Sequence, residues 1–142
     1  MHIIGFNFDK ILAERKKPLV SDLKIHTNID VKDITEQKVE VFKDKEVLKF
    51  DFMFTIDYQK EIANLDFGGF ILLAVDDKKQ SKDILQRWKK KDIPAEIKLF
   101  LFNFILAKCS MKALQLEEDL GLPTHVQLPR LTMEADPKSY VR

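Results

Sequence analysis

Between Pro94 and Gly121 the chain carries no proline or glycine, and its apolar side chains are too many for one helix face. Leu99, Phe100, Leu101 and Phe102 are consecutive, as are Phe104, Ile105 and Leu106. The spacing predicts one long helix. It begins at Pro94, where a missing N–H is harmless, and runs to about Leu120, with Gly121 as its C′ residue. A helix apolar on nearly all sides must be buried on more than one of them. One sheet face covers only part of it. The remainder is expected either to meet another copy of the chain or to stay open to apolar segments of other proteins.

The first half of the chain has the period of strands. Ile4, Phe6 and Phe8 alternate with Gly5, Asn7 and Asp9. Leu23, Ile25, Thr27, Ile29 and Val31 form a second alternating run, and Phe50, Phe52, Phe54 and Ile56 a third. Period 2 with one apolar face marks half-buried antiparallel strands. Residues 32–38 are polar and read as a connection or a bulged continuation of the second strand. Lys43-Asp44-Lys45 is a candidate hairpin turn between Val39–Phe42 and Val47–Ile56. In the fourth run, Ala63, Leu65, Phe67, Gly69, Ile71, Leu73 and Val75 share a face, while Phe70, Leu72 and Ala74 make the other face apolar too. That strand is expected to be covered on both sides. Gly68-Gly69 predicts a bulge or a close backbone approach.

Asp76-Asp77-Lys78-Lys79 ends the sheet, and Ser81 is the expected N-cap of a short helix to about Lys91. Ile84, Leu85 and Trp88 are its apolar stripe, and Ile93-Pro94 breaks it. After the long helix, Leu122, Leu128 and Leu131 are expected to pin a proline-punctuated tail, with residues from about 134 mobile. The fold class is α+β: a four-stranded antiparallel sheet, then a short and a long helix packed on one face. The 142 residues are expected to form one domain.

No catalytic constellation is visible, and the chain is expected not to be an enzyme. His2, His26 and His125 do not sit at ligand spacing with each other or with Cys109, so no metal or cofactor is expected. Cys109, mid-helix among apolar residues, reads as a buried structural thiol rather than a nucleophile. Acidic pairs such as Glu117-Glu118 and Asp76-Asp77 read as solvated. Arg87 and Lys89-Lys90-Lys91 beside Trp88 are the one nucleic-acid hint, cations next to a stackable ring. They equally suit a helix C-terminus, and a net charge of +1 supplies no general attraction. Nucleic acid is therefore not the expected partner. No apolar run is long enough to span a membrane. The start of the chain reads as a strand rather than a signal peptide, and the single cysteine suits a reducing cytoplasm.

Four strands, a short helix, a long helix and a proline-punctuated tail resemble the protein-export chaperone SecB family. Asp66-Phe67-Gly68-Gly69-Phe70 is similar to the family's segment in which a double glycine interrupts the last strand. Leu101-Phe102-Asn103-Phe104 stands where the family has Leu-Phe-Pro-Tyr. Leu120-Gly121-Leu122-Pro123, with Leu128-Pro129 beyond, resembles its Gly-Phe-Pro-Pro and Leu-x-Pro ending. Asn103 and Phe104 depart from the family's proline and tyrosine. The family's Cys-containing basic segment, which binds zinc and the SecA motor, has no counterpart in this sequence, and no motor-contact residue is carried over.

The resemblance implies a dimer or a tetramer and an apolar groove that holds unfolded polypeptide without ATP. Its candidate residues are Phe70, Leu72, Phe100, Phe104, Leu122 and Leu128. The alternatives are a homo-oligomeric scaffold without chaperone activity and, behind it, a small-ligand pocket between sheet and helix.

Overall fold

The computed structural model describes residues 1–42 and 44–133; the tail expected from 134 onward lies outside them. Four strands form one antiparallel sheet: β1 (His2–Arg15), β2 (Ile25–Gln37), β3 (Glu46–Tyr58) and β4 (Ala63–Val75). They are followed by α1 (Lys78–Trp88) and α2 (Ala95–Asp119). The strand order is β1-β4-β3-β2, so β1 and β2 are the two edges and residues 16–24 cross from one edge to the other. The expected α+β class, with both helices on one sheet face, is what the structure shows.

Alternation decides which side of the sheet each residue takes. Phe50, Phe52, Phe54, Ile56 and Tyr58 on β3 are at most 2% exposed, as are Leu65, Phe67, Ile71, Leu73 and Val75 on β4. These rows face the helices. Lys49, Asp51, Met53 and Thr55, with Asn64, Asp66, Phe70 and Leu72, face away and are half-buried. A bulge between Ile3 and Gly5 shifts the register of β1. Ile3 rather than Ile4 therefore joins Phe6 and Phe8 in packing against the core. Phe6 stacks on Phe52 at 5.6 Å and meets Phe104 of α2 edge-on at 5.5 Å.

The double glycine has a direct physical cause. Gly69 pairs with Phe8 next to a second β1 bulge between Phe8 and Lys10. A Cβ at Gly69 would overlap the Asn7 carbonyl oxygen, so only a glycine lets β1 come so close.

Of the two readings of residues 32–38, the bulged continuation is the one observed: β2 runs through a bulge between Val31 and Asp33 to Gln37. Other local expectations need correction. Val39–Phe42 is not a strand; it holds a short 3-10 turn at Glu40–Phe42. Ser81 is not the cap of α1. Asp77 is, its side chain accepting from the Gln80 N–H at 2.8 Å, while Ser81 is buried inside the first turns. The β3–β4 hairpin turns through Lys60 and Glu61, both left-handed at φ 65° and 58°, without a glycine. L-residues pay sterically for that conformation, and the turn left no signature in the sequence.

α2 buries Ile97, Leu101, Ile105, Cys109, Ala113 and Glu117, one residue in every four. Four residues advance 400°, so the stripe winds slowly round the helix as it crosses the twisted sheet. Leu99, Phe100, Leu106 and Met111 lie off that stripe and are exposed. Gly121, at φ 64°, ends the helix as expected. Arg15 of β1 donates to the Leu120 and Gly121 carbonyls at 2.9 and 3.2 Å, filling acceptors that the last turn leaves open.

Candidate polypeptide-binding groove

An open groove of about 440 Å³ runs along the β2 edge, under the junction of α1 and α2. Its floor is the β2 segment Ile29–Lys32, and its wall is Trp88, Ile93 and Phe102. β2 pairs only with β3, so the backbone groups on its outer side have no strand partner. An unpaired edge is a template for an added strand.

The wall is placed by the helix junction. Ile93 and Pro94 close α1 and open α2, bringing Trp88 from the end of one helix beside Phe102 from the start of the next. Trp88 is fixed at its far end, where Nε1 donates to Asp33 Oδ1 at 3.3 Å. That carboxylate is itself oriented by the Ile34 N–H at 2.9 Å, within the β2 bulge.

The charges of the groove fall into two kinds. Asp30 is paired with Lys32 at 2.9 Å, and Asp92 with Arg87 at 2.7 Å. Lys91 Nζ instead stands 4.4 Å above the Trp88 ring, and Lys98 Nζ lies 5.5 Å from the Phe102 ring centre. Neither makes an ion pair among the described residues. The site thus sets an apolar wall among charged side chains, beside a strand edge with no outer partner, and two of its cations rest on aromatic faces.

The six residues singled out from the sequence fall in three places. Phe70 and Leu72 lie half-buried on the helix-free face, with Lys49 Nζ 4.8 Å above the Phe70 ring. Phe104 packs inward against Phe6, and Leu122 is in the core at 7% exposure. Phe100 and Leu128 are exposed on α2 and the tail. The sheet separates the first pair from the others, and none of the six lines the β2 groove. Trp88, Ile93 and Phe102 do. Their only signal in the sequence was a Trp and a Phe flanking the Ile93-Pro94 helix break. A separate, apolar hollow of about 410 Å³ is formed by Pro18, Leu19 and Val20 of the crossing segment with Ile62.

The tail is held differently from expectation. Leu128 and Leu131 are 51% and 58% exposed and do not pin it. Leu122 does, together with a buried polar network centred on Glu117. This residue is fully buried, not solvated. Its carboxylate accepts from the His125 backbone N–H at 3.0 Å and from His125 Nδ1 at 3.0 Å. The Tyr58 hydroxyl lies 2.6 Å from both Glu117 Oε2 and the Pro123 carbonyl, with one proton for two acceptors. Burial, followed by the Glu117 hydrogen bond and charge, pushes the Tyr58 pKa far above the usual phenol value. With a proton on Nδ1, His125 Nε2 accepts from the Ser110 hydroxyl at 3.0 Å.

Ser110, His125 and Glu117 therefore stand in the order of a hydrolase relay. Ser110, however, lies in the middle of α2, with its own N–H committed to the helix ladder. What the network does is fasten the tail to the helix and to β3. Cys109, next to Ser110 in the chain, is fully buried, and burial raises its thiol to about 12. Among the described residues, no three His, Cys, Asp or Glu side chains are grouped to hold a metal, and no helix is long and apolar enough to cross a membrane.

No protein-family model and no curated protein matches the sequence. A solved structure does match: the SecB-like chaperone of Mycobacterium tuberculosis in complex with a ChAD peptide from an antitoxin. The two are 14% identical, the alignment covers 94% of this chain and 92% of that one, and the TM-score is 0.54. The fold is SecB-like. At this identity the likeness concerns the path of the chain rather than its side chains. The groove at the β2 edge is thus described from this protein's own residues.

Proposed function

We propose that this protein binds extended, non-native polypeptide without ATP, as a cytoplasmic chaperone-like homo-oligomer. One observation carries the reading: a groove walled by Trp88, Ile93 and Phe102 opens beside the unpaired β2 edge. Such a site offers main-chain hydrogen bonds to any extended segment and apolar contact to alternate side chains, which tolerates many sequences. The SecB-like fold, met in a chaperone solved with a peptide, supports the same reading. Phe100 and Leu128, exposed, and Phe70 and Leu72, on the free sheet face, are proposed as additional apolar contacts for longer clients. Phe104, packed on Phe6, and Leu122, in the core, would contribute only on local opening.

A scaffold reading has one observation in its favour. Leu99, Phe100, Leu106 and Met111 are exposed along α2, and such a patch suits a second copy of the chain. The two readings diverge in one experiment. A chemically unfolded client is diluted into buffer with the protein, without ATP, at low and high salt. Suppressed aggregation at both salt levels is the outcome of the chaperone reading. Self-association without suppression is the outcome of the scaffold reading.

A further inference from the structure

We propose that the β2-edge groove prefers extended segments in which an acidic residue stands beside apolar ones. The inference rests on the polypeptide-binding reading above and names the chemistry of the ligand. It comes from how the groove's charges are already committed. Both carboxylates on its rim are engaged, Asp30 by Lys32 and Asp92 by Arg87. Lys91 and Lys98 have only ring faces beneath them. An ammonium over a ring keeps its remaining N–H donors free and is partly stripped of water, so an arriving carboxylate gains both charge and hydrogen bonds. A basic segment meets two like charges, and the two carboxylates that line the groove are already paired.

The same geometry favours peptide over nucleic acid. Lys91 sits on the face of Trp88, where a base would have to stack. The groove also borders an edge strand, whose unpaired outer side pairs with peptide and not with a sugar-phosphate chain.

The test uses the full-length protein and three fluorescein-labelled decapeptides with capped ends. They share one Val-Phe-Val core and differ in two flanking residues: Glu, Gln or Lys. Fluorescence anisotropy gives the three affinities at low and at physiological salt. The Glu peptide is expected to bind about three- to tenfold tighter than the Gln peptide, the range two solvent-accessible ion pairs supply, and the Lys peptide weakest. The preference should shrink as salt rises. Lys91→Gln with Lys98→Gln should erase the preference, and an unchanged far-UV circular dichroism spectrum and melting temperature report that the variant is folded.

Equal binding of the three peptides, or tightest binding of the Lys peptide, overturns the inference and leaves the groove reading standing. A preference that survives in the double variant overturns it too, since the charge is then read elsewhere. Failure of all three peptides to bind sinks both readings. Displacement of the Glu peptide by a twenty-nucleotide oligothymidine at similar concentration assigns the cations to nucleic acid and overturns the inference.

Discussion

Replacing Glu117 by leucine should be among the most damaging single changes in this protein, and replacing it by glutamine among the mildest at a buried charge. The carboxylate is fully buried and receives the His125 backbone N–H, the Nδ1–H and the Tyr58 hydroxyl. Leucine keeps the volume and removes every acceptor. Tyr58 retains the Pro123 carbonyl, but both His125 donors are left unpaired in the interior. Each unpaired buried donor costs about 1–3 kcal/mol, so two together cost about 2–6 kcal/mol. The expected loss is therefore about 4 kcal/mol.

Glutamine differs because histidine can change tautomer. The amide oxygen can take the place of Oε2 and keep the backbone N–H and Tyr58. The amide NH2 then faces Nδ1, which becomes the acceptor as its proton moves to Nε2, and Nε2 in turn donates to Ser110. All partners survive, so the cost should be about 1 kcal/mol, the scale of a single exchanged hydrogen bond. Urea unfolding followed by far-UV circular dichroism measures both losses, and nitrogen-15 shifts of His125 read the tautomer. Limited proteolysis after Leu122 reports whether the tail is released. A glutamine variant as unstable as the leucine one, or a leucine variant within about 1 kcal/mol of the parent, would refute the role given to this network.

Phe52→Ala should cost about 3–5 kcal/mol, as truncations of packed aromatics do, because Phe52 is 2% exposed and stacked on Phe6; denaturant titration checks it. Lys60→Asn with Glu61→Gly should stabilise the protein by about 1–2 kcal/mol by relieving two left-handed L-residues, and a drop in melting temperature would contradict this. Cys109 and Tyr58 both have raised pKa values, so the folded state holds protons that the unfolded chain releases. Stability from Cys109 is thus fully present below its ordinary value of 9.0 and falls as pH rises toward about 12. The thiol should resist Ellman's reagent at pH 8 until the protein unfolds. Sedimentation at micromolar concentration should show self-association, weakened when Leu106→Glu and Met111→Glu are introduced together on α2.

What the sequence disclosed follows from what local pattern can encode. Alternation identified the buried rows of β3 and β4 residue by residue, since one face of each strand is almost wholly apolar. The double glycine correctly signalled a close approach, because only a missing Cβ permits the contact with Asn7. Bulges were harder. A single inserted residue in β1 exchanges Ile4 for Ile3, and nothing in the alternation marks it. Glu117 read as solvated because its partner, His125, reaches it across a turn, and Tyr58 from a distant strand. The groove was illegible for a similar reason. It is made by β2 from the first third of the chain and by the two sides of a helix junction, and no single segment contains its pattern. Phe70, Leu72, Phe100, Phe104, Leu122 and Leu128 stood out as apolar side chains in exposed contexts, but sequence could not say which sheet face each would take.

The strand order sets a timetable for synthesis. β1 leaves the ribosome first, yet its partner is β4, and Phe8 lies opposite Gly69. At 5–20 residues per second, some 60 residues take about 3–12 s to add. Through that interval β2 and β3 can close their hairpin, while β1 waits as an extended segment with Phe6 and Phe8 uncovered. Every new copy of this protein thus spends its first seconds as the class of ligand that finished copies are proposed to hold.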